Sequence, residues 1–84
     1  MRAEDRLPDA VNESLIDGVY VRKGTVGAFL ANAKVWCDQT TSDEARMIAE
    51  RDIVDALPAL HALGLFDVLR IRDERLRAFI DAHQ

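Results

Sequence analysis

The sequence predicts a mainly α (α+β) fold, with a helical hairpin plus a C-terminal helix and a small β-hairpin or short β element packed on it. Apolar residues recur at three- and four-residue spacing over residues 25–38 and 43–63, and again after Asp73. This spacing is the pattern of amphipathic helices. The pair Asp17-Gly18 lies between apolar residues, a setting typical of a two-residue turn in a β-hairpin.

The length and composition of the chain indicate one small domain. The chain has 84 residues, of which 49% are hydrophobic, and this is enough for a core in a chain of single-domain length. We expect a flexible N-terminal segment over residues 1–10, which are mostly polar, and a single globular domain over 11–84. The single cysteine excludes an internal disulfide.

The segment around the Asp-Gly pair has two interpretations. In a hairpin, Ile16 would pair with Val19 and Ser14 with Val21. The alternative is a short helix over residues 8–16, with a proline in its first turn and a glycine just past its end. Both interpretations leave the residues that follow the glycine extended.

The first long helix is apolar on two sides. Thr25 is a suitable N-cap, and we expect Gly27 to allow a neighbouring helix to approach closely. The main apolar stripe includes Phe29 and Trp36, while a smaller strip lies on the opposite side. Because two apolar sides require two neighbours, we expect either the β element or a second chain to cover this strip, which consists of Ala28, Ala31 and Val35.

The second long helix carries signals at its start, middle and end. Thr41 and Glu44 have the spacing of a capping box. Pro58 lacks an amide hydrogen and crowds the preceding turn, which predicts a kink or a restart near residues 55–57. Gly64 is well placed as a left-handed helix stop.

The residues after Gly64 again leave two possibilities open. Residues 68–71 are either a short strand or a helical turn capped by Asp67, and Asp73 then caps the last helix. The residues predicted to form the core are the large side chains on the apolar faces: Phe29, Leu30, Trp36, Ile53, Leu57, Leu60, Phe66 and Phe79.

No group of side chains in the sequence has the spacing of a catalytic, cofactor-binding or metal site. Cys37 falls on an apolar stripe at a helix C-terminus, where the helix dipole disfavours a thiolate, and we expect it to be buried and unreactive. His61 and His83 match no metal motif. Asp52 and Asp55 alternate with the apolar face of one helix, which is typical of a solvated surface. We therefore expect no enzyme, no cofactor and no metal.

The charge balance bears on partners and location. There are 15 acidic and 11 basic residues, a net charge of −4, whereas domains dedicated to nucleic acid usually have a basic excess. The sequence shows no signal-peptide pattern and no apolar run of membrane-spanning length, so we expect a cytoplasmic protein. The one local basic cluster consists of Arg70, Arg72, Arg75 and Arg77.

Two stretches resemble a known family. They are Gly24-Thr25-Val26-Gly27-Ala28-Phe29-Leu30-Ala31-Asn32, and Ala56-Leu57-Pro58-Ala59-Leu60 running on to Gly64-Leu65-Phe66-Asp67. With the Asp-Gly turn, they resemble a family of small bacterial proteins described only as a domain of unknown function. The resemblance covers about residues 13–69, and its motifs are structural. It implies a bacterial, soluble, stand-alone domain and no particular chemistry.

These observations favour a non-catalytic protein–protein interaction module. The predicted interaction surface comprises the small apolar strip and the arginine cluster. Self-association through the strip would form a weak homodimer, and the sequence does not identify another protein partner. The alternative is a nucleic-acid-associated accessory protein that uses the basic edge between Arg70 and Arg77.

Overall fold

A computed structural model describes residues 13–16 and 18–83 of the chain. The predicted flexible segment over residues 1–10 lies outside these residues. The fold is mainly α, with a two-stranded antiparallel sheet, and this confirms the predicted fold class. In chain order the elements are β1 (Glu13–Ile16), β2 (Val19–Arg22), α1 (Thr25–Cys37), α2 (Asp43–Leu63), α3 (Leu65–Val68) and α4 (Glu74–Ala82).

The hairpin interpretation of the N-terminal region is confirmed. Ile16 pairs with Val19 and Ser14 pairs with Val21, so the alternative of a helix through residues 13–16 is wrong. Gly18 has a φ of +79°, which glycine adopts without the steric cost that a side chain imposes. Val21 is fully buried and β2 packs on α2, which attaches the hairpin to the helices.

The start of α1 differs from the prediction by one residue. Gly24 is the N-cap, with a φ of +92°, and its carbonyl accepts the first helical bond from the amide of Ala28 at 2.9 Å. Thr25 is already helical, and its hydroxyl donates to the carbonyl of Arg22 at 2.7 Å. The expectation for Gly27 is also wrong, because a Cβ placed there would meet nothing within 4 Å.

The start of α2 also lies one residue beyond the predicted cap. The amide of Ala45 donates to the hydroxyl of Ser42 at 3.1 Å, so Ser42 is the N-cap. The hydroxyl of Thr41 donates to the carbonyl of Val35 at 2.7 Å, and the predicted capping box at Thr41 does not form, because Ser42 takes the capping position. This bond ties the turn between the two long helices to the end of α1.

Helix α2 runs from Asp43 to Leu63 without a restart at Pro58. A proline removes one helical hydrogen bond, but Leu57 and Leu60 on either side of it are buried in the core, and their burial supports a continuous helix. Gly64 ends the helix with a φ of +79°, and its amide donates to carbonyls of the last turn, which confirms the predicted left-handed stop.

The segment after Gly64 contains no strand. Residues 65–68 form the short helix α3, and Gly64 rather than Asp67 is its N-cap. No described strand lies beside residues 69–71, because β1 and β2 pair only with each other. Asp73 caps α4 as predicted, with its carboxylate accepting from the amide of Leu76 at 2.9 Å.

The core lies where α1, α2 and α4 meet. Four of the predicted core residues are buried in it, and Trp36, Phe66 and Phe79 pack at its edge. The prediction that Leu30 belongs to the core is wrong, because Leu30 is 51% exposed. The indole of Trp36 donates to Glu50 at 3.0 Å, which fixes this side chain at the core boundary. The fully packed cluster is Phe29, Ile53, Leu57, Leu60, Leu76 and Ile80.

Candidate functional site

An apolar groove of about 320 Å³ opens between α1, α3 and the segment 69–73. Buried Phe29 and Leu76 contribute to its wall, as does Phe66, whose ring meets that of Phe29 edge to face at 6.0 Å. Leu30 and Leu69 also line it and are 51% and 58% exposed. The groove therefore combines a packed apolar wall with two large apolar side chains that face water.

Local geometry explains why these two leucines are exposed. Successive residues of an α-helix point about 100° apart, so Leu30 cannot share the inward direction of its neighbour Phe29. Leu69 follows the last residue of α3 and has an extended backbone, with a φ of −115° and a ψ of 143°. The chain leaves the helix at this point, and Leu69 stays at the surface.

Positive charge flanks the groove. Arg70 and Arg72 line it and are exposed, and neither forms an ion pair within residues 13–16 and 18–83. Asp73 also lines the groove, but its carboxylate accepts from the first turn of α4. That hydrogen bond from the amide of Leu76 is the main cause of the lowered pKa of Asp73. The two guanidinium groups thus remain available to a ligand.

The structure does not unite the four arginines on one edge. Arg75 and Arg77 lie two positions apart on α4, which places them about 200° apart around the helix. Arg77 is half-buried, and its guanidinium donates to the carbonyl of Ile71 at 3.4 Å. It shares a neighbouring cavity with Arg70. Arg75 is therefore separated from the predicted basic edge, Arg70 and Arg72 lie beside the groove, and Arg77 lies in the neighbouring cavity.

The small apolar strip on α1 is exposed. Ala28, Ala31 and Val35 all face solvent to a considerable degree, and the hairpin packs mainly on α2. Ala28 lines a second cavity, of about 570 Å³, between β2, α1 and α2. The hairpin therefore leaves this strip accessible.

The second cavity has mixed charge. Asp52 and Asp55 reach it from α2, and Arg22 and Lys23 reach it from the end of the hairpin. Both aspartates are exposed, in agreement with the solvated surface predicted for them. Because cations and carboxylates are both present, the cavity has no strong preference for one sign of ligand charge.

Cys37 is exposed, so the prediction that it is buried is wrong. Partial burial of the thiol raises its pKa, and the nearby carboxylate of Asp73 raises it further. The thiol is therefore protonated at neutral pH and is a poor nucleophile.

The histidines make local contacts. His61 packs against the ring of Phe66, with centroids 5.6 Å apart. His83 places Nδ1 2.8 Å from the carbonyl of Phe79. Within the part of the chain that the structure describes, no three His, Cys, Asp or Glu side chains cluster closely enough to hold a metal ion.

No family model, curated protein or solved structure matched the chain significantly. The resemblance to a bacterial family therefore stays a prediction. None of the helices in the described ranges is both long and apolar enough to span a lipid bilayer.

Sequence reasoning named only part of the groove. It identified Arg70 and Arg72, but it assigned Leu30 to the core and left Leu69 in a possible strand. One signal was available in the sequence, since Phe29 and Leu30 are adjacent and cannot both face the same neighbouring helix. The groove itself has no local signature, because α1 is distant in the chain from α3 and the segment 69–73, which follow one another.

Proposed function

We propose that the protein is a non-catalytic protein–protein interaction module that holds a segment of its partner in the groove. The observation that carries this proposal is the exposure of Leu30 and Leu69 beside a preformed apolar cavity. Apolar groups exposed together mark interaction sites more often than isolated surface leucines do. The free thiol of Cys37 fits a reducing compartment, which supports a cytoplasmic location.

The size of the groove favours a side chain as its occupant. A volume of about 320 Å³ lies at the lower end of the roughly 300–1,000 Å³ usual for small-molecule sites. Large apolar anchors that fill such pockets dominate the energy of many protein interfaces. A partner that inserts one or two apolar side chains would cover the surface of both leucines.

The test is affinity capture from an extract of the protein's own cells, followed by mass spectrometry. Three baits are compared: the unmodified chain, Leu69→Asp in the groove, and Met47→Asp on α2. Met47 is the matched control because it is equally apolar and is 68% exposed on a helix that does not line the groove.

We expect at least one protein to be retained by the unmodified chain and by Met47→Asp but lost by Leu69→Asp. Circular dichroism should show that both variants remain folded, since both side chains already face water. Identical sets of captured proteins for all three baits would contradict the groove as the binding site.

A nucleic-acid-associated role is the second candidate, because Arg70 and Arg72 are exposed and form no ion pair within the described chain. The overall charge of −4 and the divergence of Arg75 from Arg77 weigh against it. Binding to DNA or RNA that weakens steeply with added salt and is lost in Arg72→Gln would support this alternative.

A further inference from the structure

We infer that the groove binds an acidic peptide in an extended conformation, which adds as a strand along residues 69–71 and inserts an apolar side chain into the cavity. This inference rests on the proposed function and specifies the chemistry and shape of the partner. It is carried by the backbone, the residue pattern and the charges of this one segment.

The backbone of the segment offers unused hydrogen-bonding groups. Among the described residues, the amides of Arg70, Ile71 and Arg72 have no backbone or side-chain acceptor. The amide of Leu69 is the last that donates to helix α3, to the carbonyl of Leu65 at 2.9 Å. Unpaired amides at a protein surface are the groups that an added strand uses.

The residue pattern of the segment suits a strand. Leu69 and Ile71 alternate with Arg70 and Arg72, and this two-residue alternation is typical of a strand with one apolar side. The chain itself supplies no described strand to pair with it, since the sheet contains only β1 and β2. The segment thus has a strand-like sequence and an extended start at Leu69, bends at Arg72, and has no strand partner within the described fold.

Charge decides what kind of peptide fits. Arg70 and Arg72 lie beside the groove, while the carboxylate of Asp73 is engaged by the first turn of α4. Asp73 stays ionised when it accepts this hydrogen bond, so the charged residues that line the groove sum to +1 on a chain whose net charge is −4. Aspartate or glutamate residues next to the apolar anchor would pair with the two guanidinium groups, and they would select such a peptide over a basic one.

The first experiment selects binding peptides from a random library displayed on phage, with the complete folded chain as the target. We expect the selected peptides to share a large apolar residue flanked by Asp or Glu. Their affinity, measured by fluorescence polarisation, should fall about three- to tenfold in the double variant Arg70→Gln/Arg72→Gln, the size expected for two exposed ion pairs. Arg51→Gln is the matched control, because Arg51 is an exposed arginine on α2 and should leave the affinity unchanged.

The second experiment tests the extended conformation. Each backbone amide of a selected peptide is N-methylated in turn, and we expect binding to be lost at every second residue, because alternate amides of a strand point to the same neighbour. By the same geometry, only the amides on one side of the segment, either those of Arg70 and Arg72 or that of Ile71, should become protected from hydrogen exchange when the peptide is bound.

The outcomes separate this inference from the proposed function. Peptides that bind through the groove but are basic, or whose sensitive positions recur every third or fourth residue, would overturn the acidic strand and leave the groove as a binding site. Failure to select any peptide, or equal binding to the unmodified chain and Leu69→Asp, would overturn the proposed function as well. Selective binding of RNA or DNA without any peptide would favour the nucleic-acid alternative.

Discussion

Leu57 and Leu30 show how the same residue type acquires opposite roles in this small domain. Leu57 is 3% exposed within the core, whereas Leu30 is 51% exposed at the groove. We expect Leu57→Ala to lower the free energy of unfolding by about 2–5 kcal/mol, because it removes buried methyl groups and leaves a cavity. Leu30→Ala should change it by about 0.5 kcal/mol or less, as surface substitutions usually do. Chemical denaturation of both variants measures the difference, and equal midpoints would show that the two helix faces are misassigned.

Gly27 offers a second test at the scale of one residue. It lies inside α1, and a Cβ there would meet nothing within 4 Å. Gly27→Ala should therefore raise the free energy of unfolding by about 0.5–1 kcal/mol, since alanine restricts the unfolded chain and favours a helix.

Gly64→Ala is the opposing control for this test. Gly64 has a φ of +79°, and an added Cβ would lie 3.2 Å from the carboxylate of Asp67. This variant should lower the thermal unfolding midpoint, whereas Gly27→Ala should raise it. A lower midpoint for Gly27→Ala would indicate that α1 has a close neighbour at that position.

At the scale of an element, the cap of α4 predicts how stability depends on pH. The hydrogen bond from the amide of Leu76 lowers the pKa of Asp73 below its ordinary value of 3.8. The unfolded chain therefore binds a proton at this group at a higher pH than the folded chain does. The contribution of the cap is complete above pH 3.8 and is lost as the pH falls through the lowered pKa.

Asp73→Asn tests this dependence directly. Asparagine is an equally good N-cap but does not titrate, so the variant should lose less stability than the unmodified chain during acidification. The helical circular dichroism signal in moderate denaturant, followed from neutral to acidic pH, is the measurement. Identical acid profiles would show that the cap does not act through its charge. The pKa of Asp38 is also lowered, by hydrogen bonds from Thr40. Asp38 therefore also makes stability fall with acidification, and it does so equally in the unmodified chain and in Asp73→Asn.

Pro58 provides the second test of an element. It lies inside α2 and its side chain is exposed, so it removes a helical hydrogen bond without contributing to the core. Pro58→Ala should raise the free energy of unfolding by up to about 3 kcal/mol. Differential scanning calorimetry measures the change in the thermal unfolding midpoint. A lower midpoint for Pro58→Ala would show that the proline stabilises the fold.

At the scale of the whole molecule, the exposed strip on α1 raises the question of self-association. Ala28, Ala31 and Val35 present little apolar area, so a homodimer through them would be weak, at the low end of specific interfaces. Sedimentation equilibrium at high micromolar concentration should detect it, and Ala31→Glu should abolish it by burying a charge between the subunits. Because Ala31 is exposed, the variant should remain folded. A strictly monomeric unmodified chain would exclude the dimer.

The elements of this fold were predictable because their signals are local. Helical spacing, the glycine stop at Gly64 and the cap at Asp73 each act over a few residues, and so does the hairpin register of Ile16 with Val19. The errors at the first caps, Thr25 and Thr41, have a related cause. In both cases the hydroxyl donates to an earlier carbonyl, while the residue beside it takes the capping position.

The sequence by itself thus determined the three longer helices and the sign of the charge after Leu69, and it left the hairpin as one of two interpretations. The tertiary structure alone decided that Leu30 is exposed and that residues 69–71 have no described strand beside them. Periodicity shows that a side is apolar but not which neighbour will cover it, and a strand forms only where another strand supplies its hydrogen bonds. The groove exists because α1, α3 and the segment 69–73 meet in space, and no pattern within any one of them encodes that meeting.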